Sequence, residues 1–310
     1  MTLTVRDYRS GDAAAVTGLL YATAPYLVVT PEGLHAQVTG SPARQHFRLL
    51  VADDDGTPAG CVRTGVFADT SDPGLAFANL TVAPTARRAG VGGALLAAAE
   101  QHLADVGAHT VYAWAADEPA AHAFAARHGY RRGRSTSFQR LDLTDAGPLP
   151  VPPALRAGVE LLPASHWADD PAPLHEADQE CFRDEPGDVS SDAISFADWK
   201  AVTWDRPGFD KELSTVPVVD GEVAGLLIVE TDDRGRYWSG GTGIRRAHRG
   251  RGLAKAAKAH SLHLARARGL REAYTGNDDG NQPMLAVNRW LGYRPCATEW
   301  RYIRDLTDRA

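Results

Sequence analysis

The chain has 310 residues, of which 44% are hydrophobic and 23% are charged, and its formal net charge is −6. This length favours two domains that each bury a core, and the acidic balance argues against nucleic acid as a partner. No apolar run approaches the roughly 20 residues that span a bilayer. The N-terminus lacks an apolar signal core, and the three cysteines lack the spacing of a disulfide framework or a zinc site. We therefore expect a cytoplasmic protein that contains no metal and binds neither nucleic acid nor membrane.

Strand and helix signals alternate through the first half and predict a mixed α/β fold. Strands are expected at 47–52 and 59–67, joined by the Asp-Asp-Asp-Gly turn that is typical of a hairpin. The remaining predicted elements are a strand at 3–8, helices at 13–21 and 31–38, a strand at 75–82, a helix at 92–107, a strand at 110–115, a helix at 118–128 and a closing strand region at 130–143.

A polar turn joins the strand at 75–82 to the helix that follows it. Glycines let the backbone turn tightly and leave amide N–H groups pointing outward, and the first N–H groups of a helix have no partner inside the helix. Together with nearby arginines, such a turn can bind a diphosphate. The candidate residues here are Leu80, Thr81, Val82, Arg87, Arg88, Ala89, Gly90, Val91, Gly92 and Gly93.

The segment 145–154 is rich in proline and glycine and suits an inter-domain connection. We therefore predict a first domain at 1–147, a linker at 148–157 and a second domain at 158–310. In the second domain, the acidic stretch at 178–192 is either a solvated loop and helix flank or an entrance that attracts a cationic amine. The other predicted elements are a strand at 159–162, a helix at 171–181, a hairpin of 216–219 with 223–230, a strand at 236–244 and a helix at 254–268.

The second domain repeats the turn of the first. Gly90 and Gly252 lie 162 residues apart, Gly129 and Gly292 lie 163 apart, and two Asp-Gly turns at 55 and 220 lie 165 apart. Matched landmarks at nearly constant spacing indicate a duplicated domain. The corresponding candidate residues are Thr242, Gly243, Ile244, Arg249, Gly250, Arg251, Gly252, Leu253, Ala254, Lys255 and, further on, Asn281.

The motifs Arg87-x-x-Gly90-x-Gly92 and Arg249-x-x-Gly252-x-Ala254 resemble the signature of the GNAT superfamily of acyl-CoA-dependent N-acetyltransferases. The order of elements around each motif fits that family, so the chain resembles a tandem GNAT protein. The resemblance implies two domains, each a mostly antiparallel sheet with a splayed central strand and flanking helices. It also implies acetyl-CoA as cosubstrate, a small-molecule amine as acceptor, and direct transfer in a ternary complex by a monomer or homodimer.

The sequence departs from the family at the tyrosine that can protonate the departing thiolate. The two positions are Ala125 and Asn288, while Asn281 matches the family asparagine. The first half is therefore expected to bind acyl-CoA without turnover or to be structural, and the second to be catalytic. A base must accept the ammonium proton; Glu230 is the first candidate, with Tyr237 and Ser239 as weaker candidates for a proton relay.

Two other functions stay open. One is a non-catalytic acyl-CoA-binding or regulatory protein, which the missing tyrosine favours. The other is a tandem enzyme similar to mycothiol synthase, although the segment Asn277 to Tyr293 is not a close match to it.

Overall fold

The computed structural model describes residues 3–144, 147–183 and 187–307. The chain divides into two compact units. Unit 1 comprises Met1–Thr136 together with Ala297–Ala310, and unit 2 comprises Ser137–Cys296. Among the described residues, no helix is both long enough and apolar enough to cross a membrane.

Thirteen strands and eight α-helices carry the fold of the described residues. The strands are β1 (Leu3–Asp7), β2 (Arg48–Asp54), β3 (Thr57–Val66), β4 (Leu75–Val82), β5 (Thr110–Ala116), β6 (Arg131–Asp142), β7 (Val159–Pro163), β8 (Thr215–Val219), β9 (Glu222–Val223), β10 (Gly225–Thr231), β11 (Arg236–Ile244), β12 (Glu272–Asp278) and β13 (Arg294–Asp305). The helices are α1 (Ala13–Thr23), α2 (Pro31–Gly40), α3 (Val91–Asp105), α4 (Pro119–Arg127), α5 (Ala172–Phe182), α6 (Phe196–Trp199), α7 (Leu253–Ala267) and α8 (Gln282–Leu291). This mixed α/β architecture confirms the expected fold class.

Unit 1 is built on a sheet with strand order β1-β2-β3-β4-β5-β13. Strands β1 to β4 pair antiparallel, whereas β4 and β5 pair parallel. Helices α3 and α4 cover one face of the sheet, and α1 and α2 cover the other, so apolar side chains are buried on both faces. The predicted hairpin at 53–56 is confirmed, because Asp55 and Gly56 both adopt the positive φ that a tight two-residue turn needs.

Unit 2 repeats this plan. Its larger sheet has the order β6-β12-β11-β10, and β7, β8 and β9 form a separate small sheet. Again a central pair, β11 with β12, is parallel and its neighbour β10 is antiparallel to β11. Helix α7 packs on one face, and α5 and α6 pack on the other. Asp220 and Gly221 form the second hairpin turn with positive φ.

The end of the chain completes the sheet of unit 1. Residues Glu299 to Asp305 of β13 pair antiparallel with β5, from Ala116 back to Thr110. Tyr302 and Leu306 join the apolar core beneath α3. In unit 2, the edge beside β12 is taken by β6, which comes from the end of the first repeat. Unit 1 therefore contains most of β13 from the end of the second repeat, and unit 2 contains the second half of β6 from the end of the first repeat.

Candidate active site

Strands β11 and β12 separate part of the way along unit 2. They pair from Arg236 opposite Glu272 to Ser239 opposite Thr275, and within the described residues no further pair joins them. β11 nevertheless continues to Ile244. Since strand backbone groups must find partners, the groups that face this gap are available to an extended ligand.

A β-bulge lies at the point where the two strands separate. Val229 of β10 is opposite Ser239, but the preceding residue, Ile228, is opposite Gly241, so Gly240 is left out of the register. A bulge leaves one residue unpaired and turns its backbone groups in a new direction. This exposed glycine lies at the apex of the gap.

The two glycines that follow serve a packing role. A Cβ on Gly241 would lie 2.7 Å from Cζ of Phe182, and a Cβ on Gly243 would collide with Cys181. Both partners belong to α5, which crosses this strand closely. Glycine is thus required at both positions by the close approach of α5.

The turn after β11 has the geometry of an anion site. A short 3₁₀ helix at Arg246–His248 is followed by Gly250 and Gly252, whose φ angles are +75° and +78°. Helix α7 begins at Leu253, and the amide of Ala256 is bonded to the carbonyl of Gly252. The amides of the preceding first turn therefore point out of the helix N-terminus, where anions are stabilised.

The side chains around this turn partly fold back on it. Arg249 donates from Nε to the carbonyl of Ile244 at 2.9 Å, and Arg251 donates to the carbonyl of Ala247 at 3.2 Å. Glu180 of α5 accepts from the Arg245 guanidinium at 2.7 Å and from the backbone N–H of Arg246 at 3.1 Å. The arginine lowers the pKa of Glu180, and this pair attaches α5 to the turn.

The matching turn of unit 1 has a similar backbone conformation, with Arg88 at the position of Gly250. Arg88 and Gly90 have φ angles of +68° and +85°, and the amide of Ala94 is bonded to the carbonyl of Gly90 at the start of α3. Arg88 therefore occupies a left-handed conformation that favours glycine. Arg87 extends to Glu118 at 3.3 Å. The structure thus brings together the candidate residues of each turn, separately in the two units.

The gap between β4 and β5 in unit 1 is closed by a side chain. The parallel pairing ends at Phe77 opposite Tyr112. Beyond it, Oδ1 of Asn79 accepts the backbone N–H of Trp114 at 3.1 Å. The β3–β4 register runs without a shift, so Asn79 stands where unit 2 has its bulge and glycines. In unit 1 a side-chain amide thus bridges the two strands just beyond their last backbone pair.

The three candidate catalytic residues lie on two faces of the unit 2 sheet. Glu230 shares the face of α5 and accepts from Arg206 at 2.8 Å. Tyr237 is buried against α7, where its hydroxyl contacts Oγ of Ser261 at 3.0 Å. Burial raises the pKa of this phenol. Ser239 also faces α7, and it lies at the apex of the gap.

The two asparagines of the closing segment have structural contacts. Asn281 caps α8 by accepting the backbone N–H of Met284 at 3.3 Å. Asn288 is fully buried and donates to Oδ1 of Asn277 at 2.7 Å. At the position where the family has tyrosine, Asn288 therefore forms a hydrogen bond that links α8 to β12.

The sequence analysis missed Lys258. This lysine of α7 is 1% exposed, and its Nζ donates to Oγ of Ser239 at 3.0 Å. The helical spacing indicates its burial, because Lys258 lies four residues before Leu262 and seven before Ala265, on the apolar face of the helix. Burial lowers the pKa of Lys258 to about 7.

The acidic stretch at 178–192 is only partly within the described residues. Asp184 and Glu185 lie outside them, and Glu180 and Glu230 each have an arginine partner. The described carboxylates therefore add less negative charge to an acceptor entrance than the sequence indicates. Searching the described residues finds no group of three or more His, Cys, Asp or Glu that could hold a metal ion.

Comparisons with known proteins identify the family. The model of the acetyltransferase (GNAT) family matches residues 22–130 and 172–293. The mycothiol acetyltransferase of Clavibacter michiganensis subsp. michiganensis is 33% identical over 263 residues, covering 83% of this chain and 79% of that protein. The mycothiol acetyltransferase of Nocardioides sp. is 32% identical over 251 residues, with coverage of 75% and 80%.

Two solved structures share the fold along nearly the whole chain. A GCN5-related N-acetyltransferase from Sphaerobacter thermophilus has a TM-score of 0.72 at 23% identity, covering 98% of this chain and 95% of that one. A tandem GNAT protein from the clavulanic acid biosynthesis pathway also has a TM-score of 0.72, at 22% identity with 98% of both chains covered. The chain is thus an acyltransferase that belongs to the GNAT acetyltransferase family, and two successive regions of it match that family.

Proposed function

We propose that this chain is an acetyl-CoA-dependent N-acetyltransferase for a small-molecule amine and that unit 2 carries out the transfer. The observation that carries the proposal is the contrast at the two strand gaps. Unit 2 has an open gap with a bulge at Gly240, whereas Asn79 closes the equivalent gap in unit 1. Unit 1 keeps the phosphate turn and is proposed to hold CoA without turnover.

The proposed transfer uses the turn, the gap and the bulge together. The amides at the start of α7 would bind the diphosphate, with Arg249, Arg251 and Lys255 as countercharge. The backbone amide of Gly240, the bulge residue, would stabilise the oxyanion that develops on the thioester carbonyl. Holding both substrates at one gap replaces a bimolecular encounter by a reaction within one complex.

Glu230 is proposed to accept the ammonium proton of the acceptor, through water. It lies on the face of α5 and α6, opposite the helix that carries the phosphate turn. Its ion pair with Arg206 holds the carboxylate in position. The amine would therefore approach from the α5 side while acetyl-CoA is held by the α7 turn.

For the acceptor, we propose the unacetylated precursor of mycothiol as the first amine to test. The support is that the curated relatives are named mycothiol acetyltransferases and match most of this chain. Their similarity extends over both repeats. A screen of other small amines, with detection of free CoA thiol, belongs in the same experiment.

A matched pair of variants tests which unit is catalytic. Gly252→Val and Gly90→Val place the same β-branched side chain at equivalent left-handed positions of the two turns. We expect Gly252→Val to abolish thiol release and Gly90→Val to leave most of it. The reverse result would assign the reaction to unit 1. The full chain must be used, because β13 completes the sheet of unit 1.

A non-catalytic acyl-CoA-binding protein is the second candidate, since Ala125 and Asn288 replace the tyrosines of the family pattern. Calorimetry with acetyl-CoA separates the two functions. Binding that Gly252→Val removes, without thiol release for any amine tested, would favour the binding protein.

A further inference from the structure

Lys258 is an amine buried in the core of unit 2, directly under the apex of the strand gap. Its Nζ donates to Oγ of Ser239 at 3.0 Å, and Ser239 is the last residue of β11 that pairs with β12. The ring of Tyr293 lies 5.7 Å away. In the described residues, Ser239 supplies the single oxygen that accepts from this amine.

The surroundings favour the neutral amine. A protonated lysine has three N–H donors to satisfy, and a buried charge without a partner is strongly unfavourable. The titratable groups packed nearby are the phenols of Tyr237 and Tyr293, and burial raises the pKa of both. They carry no charge near neutral pH, and burial alone lowers the lysine pKa to about 7. Lys258 can therefore gain and lose a proton in the physiological range.

Hydroxyl groups lead from this amine towards the open part of the gap. Oγ of Ser239 lies 3.5 Å from Oγ1 of Thr242, and Thr242 is half-buried on the unpaired end of β11. A hydroxyl can accept one proton while it donates another. The three side chains thus form a line from the core to the place where the strand backbone is open.

The equivalent positions in unit 1 are apolar. Six residues after the matched turn glycine, unit 1 has Leu96 where unit 2 has Lys258. When the bulge residue Gly240 is left out of the alignment of β4 with β11, Ala78 matches Ser239. Both Leu96 and Ala78 are buried in the apolar core of unit 1. The lysine–serine pair therefore occurs in the unit with the open gap and not at the matching place in the other.

We propose that Lys258, acting through Ser239 and Thr242, holds the proton that moves from the attacking amine to the departing CoA thiolate. This proposal rests on the proposed transfer reaction in unit 2. It assigns the role that the family tyrosine would have at Asn288 to a residue on a different element. Lys258 does not touch the substrate; it stores the proton and orients the two hydroxyls.

In the proposed transfer, one proton leaves the amine nitrogen and the same number reaches the CoA thiolate. The neutral acceptor amine adds to the thioester carbon and forms a tetrahedral species with a positive nitrogen and a negative oxygen. The nitrogen loses one proton through Thr242 and Ser239 to Lys258, which becomes an ammonium. The C–S bond then breaks, and the thiolate takes that proton back along the same hydroxyls. The amide and the free thiol are formed, and Lys258 returns to its neutral state.

The first test is kinetic and uses Lys258→Met and Ser239→Ala. General acid–base groups contribute about 10²–10⁴-fold, so we expect each variant to lower kcat at least tenfold with little change in KM. In the wild type, kcat should rise through pH 7 as Lys258 loses its proton, and this limb should disappear in Lys258→Met. A twofold or smaller change in kcat, with the pH profile unchanged, overturns the relay.

The second test does not depend on turnover. The chain has four lysines, Lys200, Lys211, Lys255 and Lys258, so lysine labelled with ¹³C at Cε gives few NMR signals. One signal should titrate near pH 7 and be absent in Lys258→Met. If no signal titrates near pH 7, the proposal is wrong. If the wild-type chain binds CoA but releases no thiol with any amine, the proposed transferase function is wrong, independently of the pKa of Lys258.

Discussion

At the scale of single residues, the buried amine of Lys258 links stability to pH. Its pKa is about 7 in the folded chain and near 10.5 in the unfolded chain. Between these values the unfolded state holds a proton that the folded state does not, so folding becomes more favourable as pH rises. Below pH 7 both states are protonated, and the unfavourable burial of the charge is fully present.

Lys258→Met should therefore be more stable than the wild type at pH 6, and the difference should shrink between pH 7 and 10. The expected slope is up to roughly 1.4 kcal/mol of unfolding free energy for each pH unit. Denaturant unfolding at a series of pH values measures it. Leu264→Met, at an exposed position of the same helix, is the control: it removes no titratable group and should show no such slope. A constant difference between Lys258→Met and wild type would contradict this prediction.

A second prediction at this scale concerns Glu230. If this carboxylate accepts the acceptor's proton, Glu230→Gln should lower kcat by about 10²-fold while the affinity for acetyl-CoA is unchanged. The comparison variant is Glu222→Gln, an exposed carboxylate of the preceding strand, β9. Equal rates in wild type and Glu230→Gln would show that another group is the base.

At the scale of elements, α5 holds the phosphate turn of unit 2 in place. Glu180 bonds to both Arg245 and the amide of Arg246. We expect Glu180→Ala to weaken acetyl-CoA binding roughly threefold to tenfold, because a net hydrogen bond is worth about 1 kcal/mol. Calorimetry measures the change. Glu176→Ala, on the exposed side of α5, should bind as the wild type does.

The close crossing of α5 and β11 gives a further prediction. Gly243→Ala would bring its Cβ into collision with Cys181, and overpacking of this kind destabilises by about 1–3 kcal/mol. Gly18→Ala in α1 is the contrasting change, since a Cβ there meets no atom within 4 Å. It should stabilise by roughly 0.5–1 kcal/mol. Similar effects of the two substitutions on thermal unfolding would contradict the packing argument.

At the scale of the whole molecule, the C-terminal strand belongs to the core of unit 1. β13 contributes Tyr302 to that core, Glu299 to a bond from Tyr26 at 2.6 Å, and Arg304 to an ion pair with Glu100 at 2.7 Å. A chain that ends at residue 296 should therefore lose the cooperative unfolding of unit 1 while unit 2 stays folded. Calorimetric scanning should show one transition in place of two. A chain that ends at 307 is the control, and an unchanged scan for the shorter chain would contradict the prediction.

The sequence by itself determined the elements, the duplication and the chemistry of the turns. β4 and β11 have the predicted bounds, and both Asp-Gly turns formed as expected. The second hairpin is shorter than predicted, because across its turn β8 pairs with only the two-residue β9, while β10 pairs with β11 in the larger sheet. These features depend on local rules, because glycine at positive φ, strand alternation and the start of a helix are set by neighbouring residues. The GNAT resemblance rested on the same local motifs, and the family match confirmed it.

Only the tertiary structure decided which residues meet across the sheet. It completed unit 1 with β13, placed Asn79 across one gap, left the other open beside a bulge, and buried Lys258 against Ser239. It also put Glu230 and Tyr237 on opposite faces. Each of these facts depends on strand register and on the side of the sheet that a helix covers. A change of one residue in register reverses the face of every side chain that follows, so short sequence patterns do not fix such contacts.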